Sequence, residues 1–259
     1  MLLAVNVGNA IISFGFFEDT CNILKSFDIS SDTRKTSDEY IFTIKPIAES
    51  LGICTKNIEG AIISSVVPQL TDRITKSVEE LIGKKPLVVG PGIKTGFHIK
   101  IDNPSELGSD IVANTAAATQ KEKGTPLIIA DIGSVNTISA VSKNGEYLGC
   151  AIFPGIQLSF NALHSEAAQL PNVNFALSSR AIGKNSQNAV RSGIIIGTSF
   201  ALDGFVSRFA SEMKISRDDI GLVATGQYAP LVIPYCKSQF IYEKHLTLMG
   251  LYYIYNTNC

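Results

Sequence analysis

The chain of 259 residues has little of what builds metal sites or disulfide frameworks. Its five cysteines, Cys21, Cys54, Cys150, Cys236 and Cys259, form no CxxC pair, and their odd number argues against a disulfide framework. They read as reduced thiols. The three histidines, His98, His164 and His245, are scattered with no partner at ligand spacing, which argues against a histidine-built metal site. Neither sign of charge dominates. With 22 basic and 23 acidic residues and a net charge of −1, nothing points to nucleic acid or an anionic membrane surface, so the expected partner is a small molecule. Long apolar runs are also lacking: the first is broken by Asn6, Gly8 and Asn9, with no basic leader before it, too short for a signal peptide or a membrane span. The expectation is a soluble, cytoplasmic protein.

What is present is apolar bulk. Hydrophobic residues make up 45% of the chain, enough for a large core in one long domain or in two of about 100 to 150 residues. Short β-rich runs alternate with amphipathic stretches. The pattern predicts strands over Leu2–Val7, Ile11–Phe17, Cys21–Phe27, Gly60–Val66, Pro86–Val89, Leu127–Asp131, Thr137–Ser142, Tyr147–Phe153 and Gly221–Ala224. It predicts helices over Ser37–Leu51, Gln69–Ile82, Ser105–Lys121, Leu158–Gln169, Gln187–Met213 and Leu246–Tyr255. Strands and helices interleave throughout, so the class is α/β.

The polar, turn-rich stretch KEKGTP, Lys121–Pro126, is followed by a restart of the pattern. LLAVNVGNAIISFGFF and PLIIADIGSVNTISAV share one layout: an apolar strand, Asn6 or Asp131, one residue, Gly8 or Gly133, a small polar residue and a second strand. Each continues into a third strand, so the halves read as copies of one β-β-β unit, with domains over 1–122 and 123–259. Either hairpin alone is an ordinary glycine turn. Two of them, facing each other across a cleft, would offer two turns whose backbone N–H groups hold phosphate. Asp131 supplies a carboxylate in the second half, where the first has Asn6; Asp131 could equally be a turn-capping residue after a buried strand.

NPSELGSD, Asn103–Asp110, reads as a helix start, with Asn103 as cap, Pro104 at the first helical position and Glu106 at the third. Capping does not explain Gly108, an unfavourable residue in a first helical turn unless something packs close to its backbone. Asp110 could serve as a general base toward a substrate hydroxyl, or be a solvated helical aspartate. Pro154-Gly155 stands between a strand and a helix, and Thr225-Gly226 ends a strand; each is either an ordinary connection or a loop aimed at a ligand.

Taken in order, these stretches resemble the type III pantothenate kinases, of the superfamily of actin, Hsp70 and the sugar and acetate kinases. The resemblance covers the whole chain: VGN in the first hairpin, PGIKTGFHIKIDNPSELGSD, PLIIADIGS, GEYLGCAIFPGIQLSFNALHSEAAQLPNV, IGKNSQNAVRSGIIIGTSFALDGF, ATGQYAPL and LTLMGLYYIYN. The run Gly145–Val173 is the most specific. The resemblance implies two ribonuclease-H-like (actin-like ATPase) domains, built as duplicated β-β-β-α-β-α units, in a cytoplasmic homodimer. It implies ATP, Mg2+ and a monovalent cation, K+ or NH4+, and pantothenate as the molecule phosphorylated in the first step toward coenzyme A. By the same resemblance Asn6, Val7, Gly8, Asn9, Ala10, Ile11, Ile12 and Ser13 form the first ATP phosphate motif, and Ser134 contacts ATP. Gly108, Ser109, Asp110 and Ile111 form the pantothenate motif with Asp110 as catalytic base. Ile101 and Ser186 stand at substrate-contacting positions, and Asp131 binds the monovalent cation.

The departures from the family fall in these same motifs. The first motif usually begins with aspartate and reads on through threonine, where this chain has Asn6 and Ala10; the substrate motif usually ends in arginine, here Ile111. A tyrosine usually stands at Ile101, and the second phosphate motif, usually threonine-rich, reads DIGSVNT. Asn6 keeps an oxygen but not the charge that holds magnesium against a polyphosphate. Ile111 cannot bond a substrate carboxylate, although with Leu107 it fits an apolar helical stripe. Three readings follow: an active pantothenate kinase with an altered site, a non-catalytic homologue that binds nucleotide or a partner in regulation, and a kinase for another small alcohol.

Overall fold

The computed structural model describes every residue of the chain except Asp19, Ala168, Gln169, Asn172, Asn174, Phe175, Leu177, Ser178 and Ser179. It divides into two compact units: Met1–His98 with Asp102–Lys121 and His245–Cys259, and Ile99–Ile101 with Glu122–Lys244.

The first unit is built on a five-stranded sheet. β1 (Leu2–Val7) and β2 (Ile11–Phe17) form the opening hairpin, and β3 (Ile23–Ser30) continues it. The helix α1 (Ser37–Ser50) starts on a capping box in which Thr36 and Glu39 satisfy each other's backbone N–H groups. β4 (Gly60–Ser65), α2 (Pro68–Ile82) and the two-residue β5 (Leu87–Val88) follow, and the sheet runs β3-β2-β1-β4-β5. β1 lies antiparallel to β2 and parallel to β4, with Asn6 between Ser13 and Ser64. Alternation decides the faces: Leu3, Val5 and Val7 turn with Phe14 and Phe16 toward Tyr40 and Ile44 of α1 and Leu70 and Ile74 of α2. A single 3₁₀ turn, Pro104–Glu106, precedes α3 (Ser109–Lys121).

The second unit repeats the plan. β6 (Leu127–Ile132), β7 (Val135–Val141) and β8 (Tyr147–Pro154) form an antiparallel meander, and α4 (Ile156–Glu166) follows. The short helix α5 (Ser186–Arg191) runs through π-helical turns at Ser192–Ile196 into α6 (Gly197–Met213). β9 (Gly221–Thr225), α7 (Ala229–Val232) and β10 (Ile241–Tyr242) complete the unit, whose sheet order is β10-β9-β6-β7-β8. Ile128, Ala130 and Ile132 of β6 pack with Phe160 of α4 and Leu202 and Val206 of α6. The stretch Ser186–Met213 has the length and apolar composition of a membrane span, but its buried residues belong to this core.

The chain then ends in α8 (Leu246–Asn258), which belongs to the first unit. It packs on α3 so closely that a Cβ on Gly250 would overlap the Ala113 carbonyl, and Thr247 Oγ1 donates to Asn114 Oδ1 at 2.7 Å. The sequence reading over 123–259 therefore differs from the structure in its last fifteen residues, 245–259, and the reading over 1–122 differs at 99–101 and 122, which belong to the second unit. The reason is packing: Leu246, Leu248, Leu251 and Ile254 are all buried, and the small residues of α3 leave room for a helix backbone.

Two further differences matter for the site. The helix predicted over Ser105–Lys121 is broken: Leu107 is extended, and α3 begins only at Ser109. Gly108 therefore precedes the helix rather than lying in its first turn, and Asp110 is the second helical residue. β3 spans Ile23–Ser30 rather than Cys21–Phe27, and the helix predicted over Leu158–Gln169 is Ile156–Glu166, its last two predicted positions lying outside the described residues.

Candidate active site

In the first unit, the candidate residues gather where β1 and β4 end. The turn after β1 closes with a hydrogen bond from the Gly8 N–H to the Ile11 carbonyl at 3.0 Å, leaving Asn9 and Ala10 exposed at its tip. Behind the turn, Ser31 holds it twice: its N–H donates to the Ala10 carbonyl at 3.0 Å and its hydroxyl to the Gly8 carbonyl. Val7 and Ile12 are fully buried and anchor the hairpin, while Ile11 and Ser13 are partly exposed. Side chains at 7 and 12 therefore support the turn rather than reach a ligand.

Asn6 stands at the end of this strand, and its Oδ1 is buried with no hydrogen-bond partner among the described residues. A buried acceptor without a donor is unfavourable by about 1–3 kcal/mol, so such an atom in a native fold calls for a ligand or water. Beside it on β4, the Ser64 hydroxyl donates to Ser109 Oγ at 2.9 Å. Ser109 Oγ also receives the Ser65 N–H at 3.0 Å and donates to the Ser65 carbonyl at 3.0 Å. These bonds tie the start of α3 to the strand end and bring the pantothenate-motif residues to the phosphate-motif hairpin.

Asp110 comes next. Its Oδ1 accepts the Ile111 N–H at 2.7 Å, and burial pushes its carboxyl above the usual aspartate range against the pull of that bond. The carboxylate occupies the space a side chain at 108 would need: a Cβ on Gly108 would lie 2.6 Å from Asp110 Oδ1. Gly108 is thus explained by the close approach that the sequence suggested, although the approaching group is Asp110 itself. Ile111 is only 7% exposed and packs in the interior. It therefore packs as an interior residue rather than as a polar contact, although the helical stripe expected with Leu107 does not form, because Leu107 is extended ahead of the helix.

In the second unit, three backbone approaches shape the end of β6. Asp131 lies between Thr137 of β7 and Thr225 of β9, and the turn Gly133-Ser134 follows. A Cβ on Gly155 would overlap the carbonyl oxygens of Gly133 and Ser134, so the β8–α4 connection presses directly on that turn. Gly226, at φ +95°, sits against the other side, where a Cβ would lie 2.6 Å from Asp131 Oδ1 and would overlap the Ile132 carbonyl. The Tyr228 N–H donates to that same carbonyl at 3.0 Å. The Pro154-Gly155 and Thr225-Gly226 connections, open on spacing alone, thus converge on the Asp131–Ser134 turn. Asn136, which the sequence reading did not single out, is fully buried; its Nδ2 donates to the Pro154 carbonyl at 3.1 Å, and its Oδ1 has no partner among the described residues.

Ser186 is the exposed first residue of α5, whose cap is Asn185, bonded to the Asn188 N–H at 2.9 Å. Ile101 is partly exposed in the segment Ile99–Ile101, which joins the second unit through a bridge between Ile99 and Tyr147 and an ion pair of 2.6 Å from Lys100 to Glu146. Within the second unit, neither position lies in the turn around Asp131. A metal built wholly from side chains finds little here: among the described residues there is no group of three or more His, Cys, Asp or Glu able to hold one.

Two such units, each with a hairpin turn at the end of its first strand, define the actin-like ATPase and sugar kinase fold. Solved structures bear this out: a protein described as a Baf family transcriptional activator from Campylobacter jejuni matches with a TM-score of 0.62 at 19% identity, over 99% of this chain and 98% of that one. An activator of 2-hydroxyisocaproyl-CoA dehydratase from Clostridium difficile, with bound ADPNP, matches with a TM-score of 0.54 at 11% identity, over 98% and 94%. The particular family follows from sequence. The family model of the type III pantothenate kinases matches residues 2–208, and this chain belongs to that family. A type III pantothenate kinase of Thermobifida fusca (strain YX) is 38% identical over 259 residues, all of both chains. One of Geotalea uraniireducens (strain Rf4) is 39% identical over 258 residues, 100% of this chain and 99% of that one.

Proposed function

We propose that this protein transfers the γ-phosphoryl group of ATP to the hydroxyl of pantothenate, giving 4'-phosphopantothenate in the first step of coenzyme A biosynthesis. The observation that best supports this is Asp110: a carboxylate at a helix start, raised in pKa by burial and tied through Ser109 to the end of β4, the strand beside the phosphate motif. A general base works best when its pKa approaches the operating pH, and burial moves Asp110 in that direction. In this reading Asp110 takes the proton from the pantothenate hydroxyl as its oxygen attacks phosphorus. The backbone N–H groups of the turns at Asn9-Ala10 and Gly133-Ser134 hold phosphate oxygens, where fixed donors stabilise charge without reorganising.

The finer assignments are proposals too. Asp131, with oxygen-bearing Thr137 and Thr225 beside it in the sheet, is the residue assigned to the monovalent cation, K+ coordinated by oxygens or NH4+ donating hydrogen bonds to them. Ser134 contacts ATP, and Ile101, Gly108, Ser109, Ile111 and Ser186 shape the pantothenate side, with Ile111 contributing apolar surface only. Mg2+ accompanies ATP, but the residues at the first strand end do not fit a divalent cation by themselves, because Asn6 carries no charge there. We also place the protein in the cytoplasm and as a homodimer, on the resemblance of the whole chain to its family. The test is a coupled assay of ADP release by purified protein, with and without pantothenate, in the presence of Mg2+ and K+. Pantothenate-dependent release supports the reading. ADP release indifferent to pantothenate would be transfer to water and would count against pantothenate as the acceptor, release that appears only when another small alcohol is added would point to that alcohol, and none at all to a non-catalytic homologue.

A further inference from the structure

We propose that the strand end at Asn6 binds no divalent cation on its own, and that a cation is held there only together with the nucleotide. The proposal rests on the kinase reading above and concerns one position within it. Its starting point is the internal repeat. Asn6 and Asp131 hold the same place in the two hairpins, one residue before a glycine turn, and only Asp131 is charged.

The surroundings of Asn6 do not replace the missing charge. Its neighbours across the sheet are Ser13 and Ser64, and the group bonded to Ser64 is the Ser109 hydroxyl, all neutral. Asp110, next in the chain after Ser109, accepts the Ile111 N–H and makes no hydrogen bond to Asn6, Ser13 or Ser64. The buried, unpartnered Oδ1 of Asn6 is an acceptor waiting for a donor or a cation, but a neutral amide oxygen alone does not repay a dication for its lost water. A small dication such as Mg2+ keeps several waters and is held by one or two carboxylates together with phosphate oxygens. Here the phosphates must supply the charge. Asn6 then contributes an oxygen to a water of the incoming complex, or to the cation already neutralised by phosphate.

Mn2+ serves as the probe, because its free and bound forms are distinguished by electron spin resonance. Titrated into the full chain without nucleotide, Mn2+ is expected to show no site at Asn6 tighter than about millimolar, the range of weakly charged oxygen sites. With ATP present, one Mn2+ should bind per bound nucleotide. Asn6→Asp should create a nucleotide-independent site, at least tenfold tighter than in wild type. Binding by wild-type protein alone that Asp131→Asn removes would belong to the second unit and support the proposal. Binding that survives Asp131→Asn and is lost in Asn6→Ala would overturn it, as would a folded Asn6→Asp protein with no gain. If Asn6→Asp does not fold, the comparison of wild type, Asn6→Ala and Asp131→Asn still decides. Failure of ATP itself to bind in a calorimetric titration would instead strike the kinase reading, so the two failures are distinguishable.

Discussion

At the residue scale, Asp110 and Ile111 make opposite demands on solvent. The ionised form of Asp110 is disfavoured by burial, so its pKa is higher folded than unfolded. The sign of the linkage follows. Below the unfolded pKa both states are protonated and nothing is gained or lost; as pH rises past it, the unfolded chain releases the proton first and the fold is disfavoured. Near neutrality Asp110 therefore weakens the fold, and Asp110→Asn, whose amide oxygen can still accept the Ile111 N–H, should melt at an equal or higher temperature. The same variant should lose about 10²- to 10⁴-fold in pantothenate-dependent turnover, because an amide cannot take the proton. Differential scanning calorimetry beside steady-state kinetics separates the two effects. In wild type, kcat/KM should fall on acidification with a midpoint above the ordinary aspartate value of about 3.9, since the base must be ionised to act.

Ile111 is the reverse case. An arginine at this place would put a guanidinium where the side chain is 7% exposed, and the one acidic neighbour in the motif, Asp110, is turned to the Ile111 N–H. Ile111→Arg is expected to destabilise the protein by about 3 kcal/mol or more, the range for an uncompensated buried charge, measured by urea denaturation. A fully stable variant would mean that the side chain can swing out to solvent. Recognition of the pantothenate carboxylate then has to come from elsewhere in this chain, because position 111 is committed to packing.

At the element scale, the glycine connections set the shape of the second hairpin turn. Gly155→Ala would drive a methyl group into two backbone carbonyls, which have no rotamer to escape by. A loss of about 1–3 kcal/mol from overpacking is expected, together with weakened ATP binding, read by thermal melting and calorimetric titration. The paired hairpins were the most legible part of the sequence. β1 and β2 were predicted to the residue, because alternation and a glycine turn are local signals, and the repeat marked Asn6 and Asp131 as equivalent. The break before α3 was not legible. Asn103-Pro104 reads as a helix start and is one, but of a single 3₁₀ turn; what stops it is the need to seat the Asp110 carboxylate over Gly108. β10 escaped notice because two residues carry no period, and its pairing partner β9 lies far back in the chain. Asn136 gave no signal either: its role depends on the Pro154 carbonyl, eighteen residues away.

At the scale of the whole molecule, the assignment of α8 to the first unit was the main thing the sequence withheld. A helix apolar around most of its circumference announces burial but not where. Its partner surface on α3 includes Ala113 and Asn114, in a run of small residues that reads as helix propensity until the close approach of Gly250 is seen. Gly250→Ala should therefore separate α8 from α3 and lower the melting temperature, with a loss of at least about 1–3 kcal/mol. Hydrogen exchange should rise in α3 and α8 before it rises in β6 to β9, since those strands belong to the other unit.

The placement of α8 also has a consequence for how the protein is made. Residues 122–244 lie between α3 and α8 in the chain, so during synthesis the first unit stands with one face of its sheet incomplete while the whole second unit is being added. Domains generally fold as units, the N-terminal one first, as the chain emerges. Here that order is reversed at the finish: the second unit has all of its strands and helices before the first can close. The helix α8, which emerges after the whole second unit, is thus the latch on β1 and its neighbours, and until it docks, Leu2 and Ala4 of β1 and the neighbouring small residues of α3 remain open to solvent or to a chaperone.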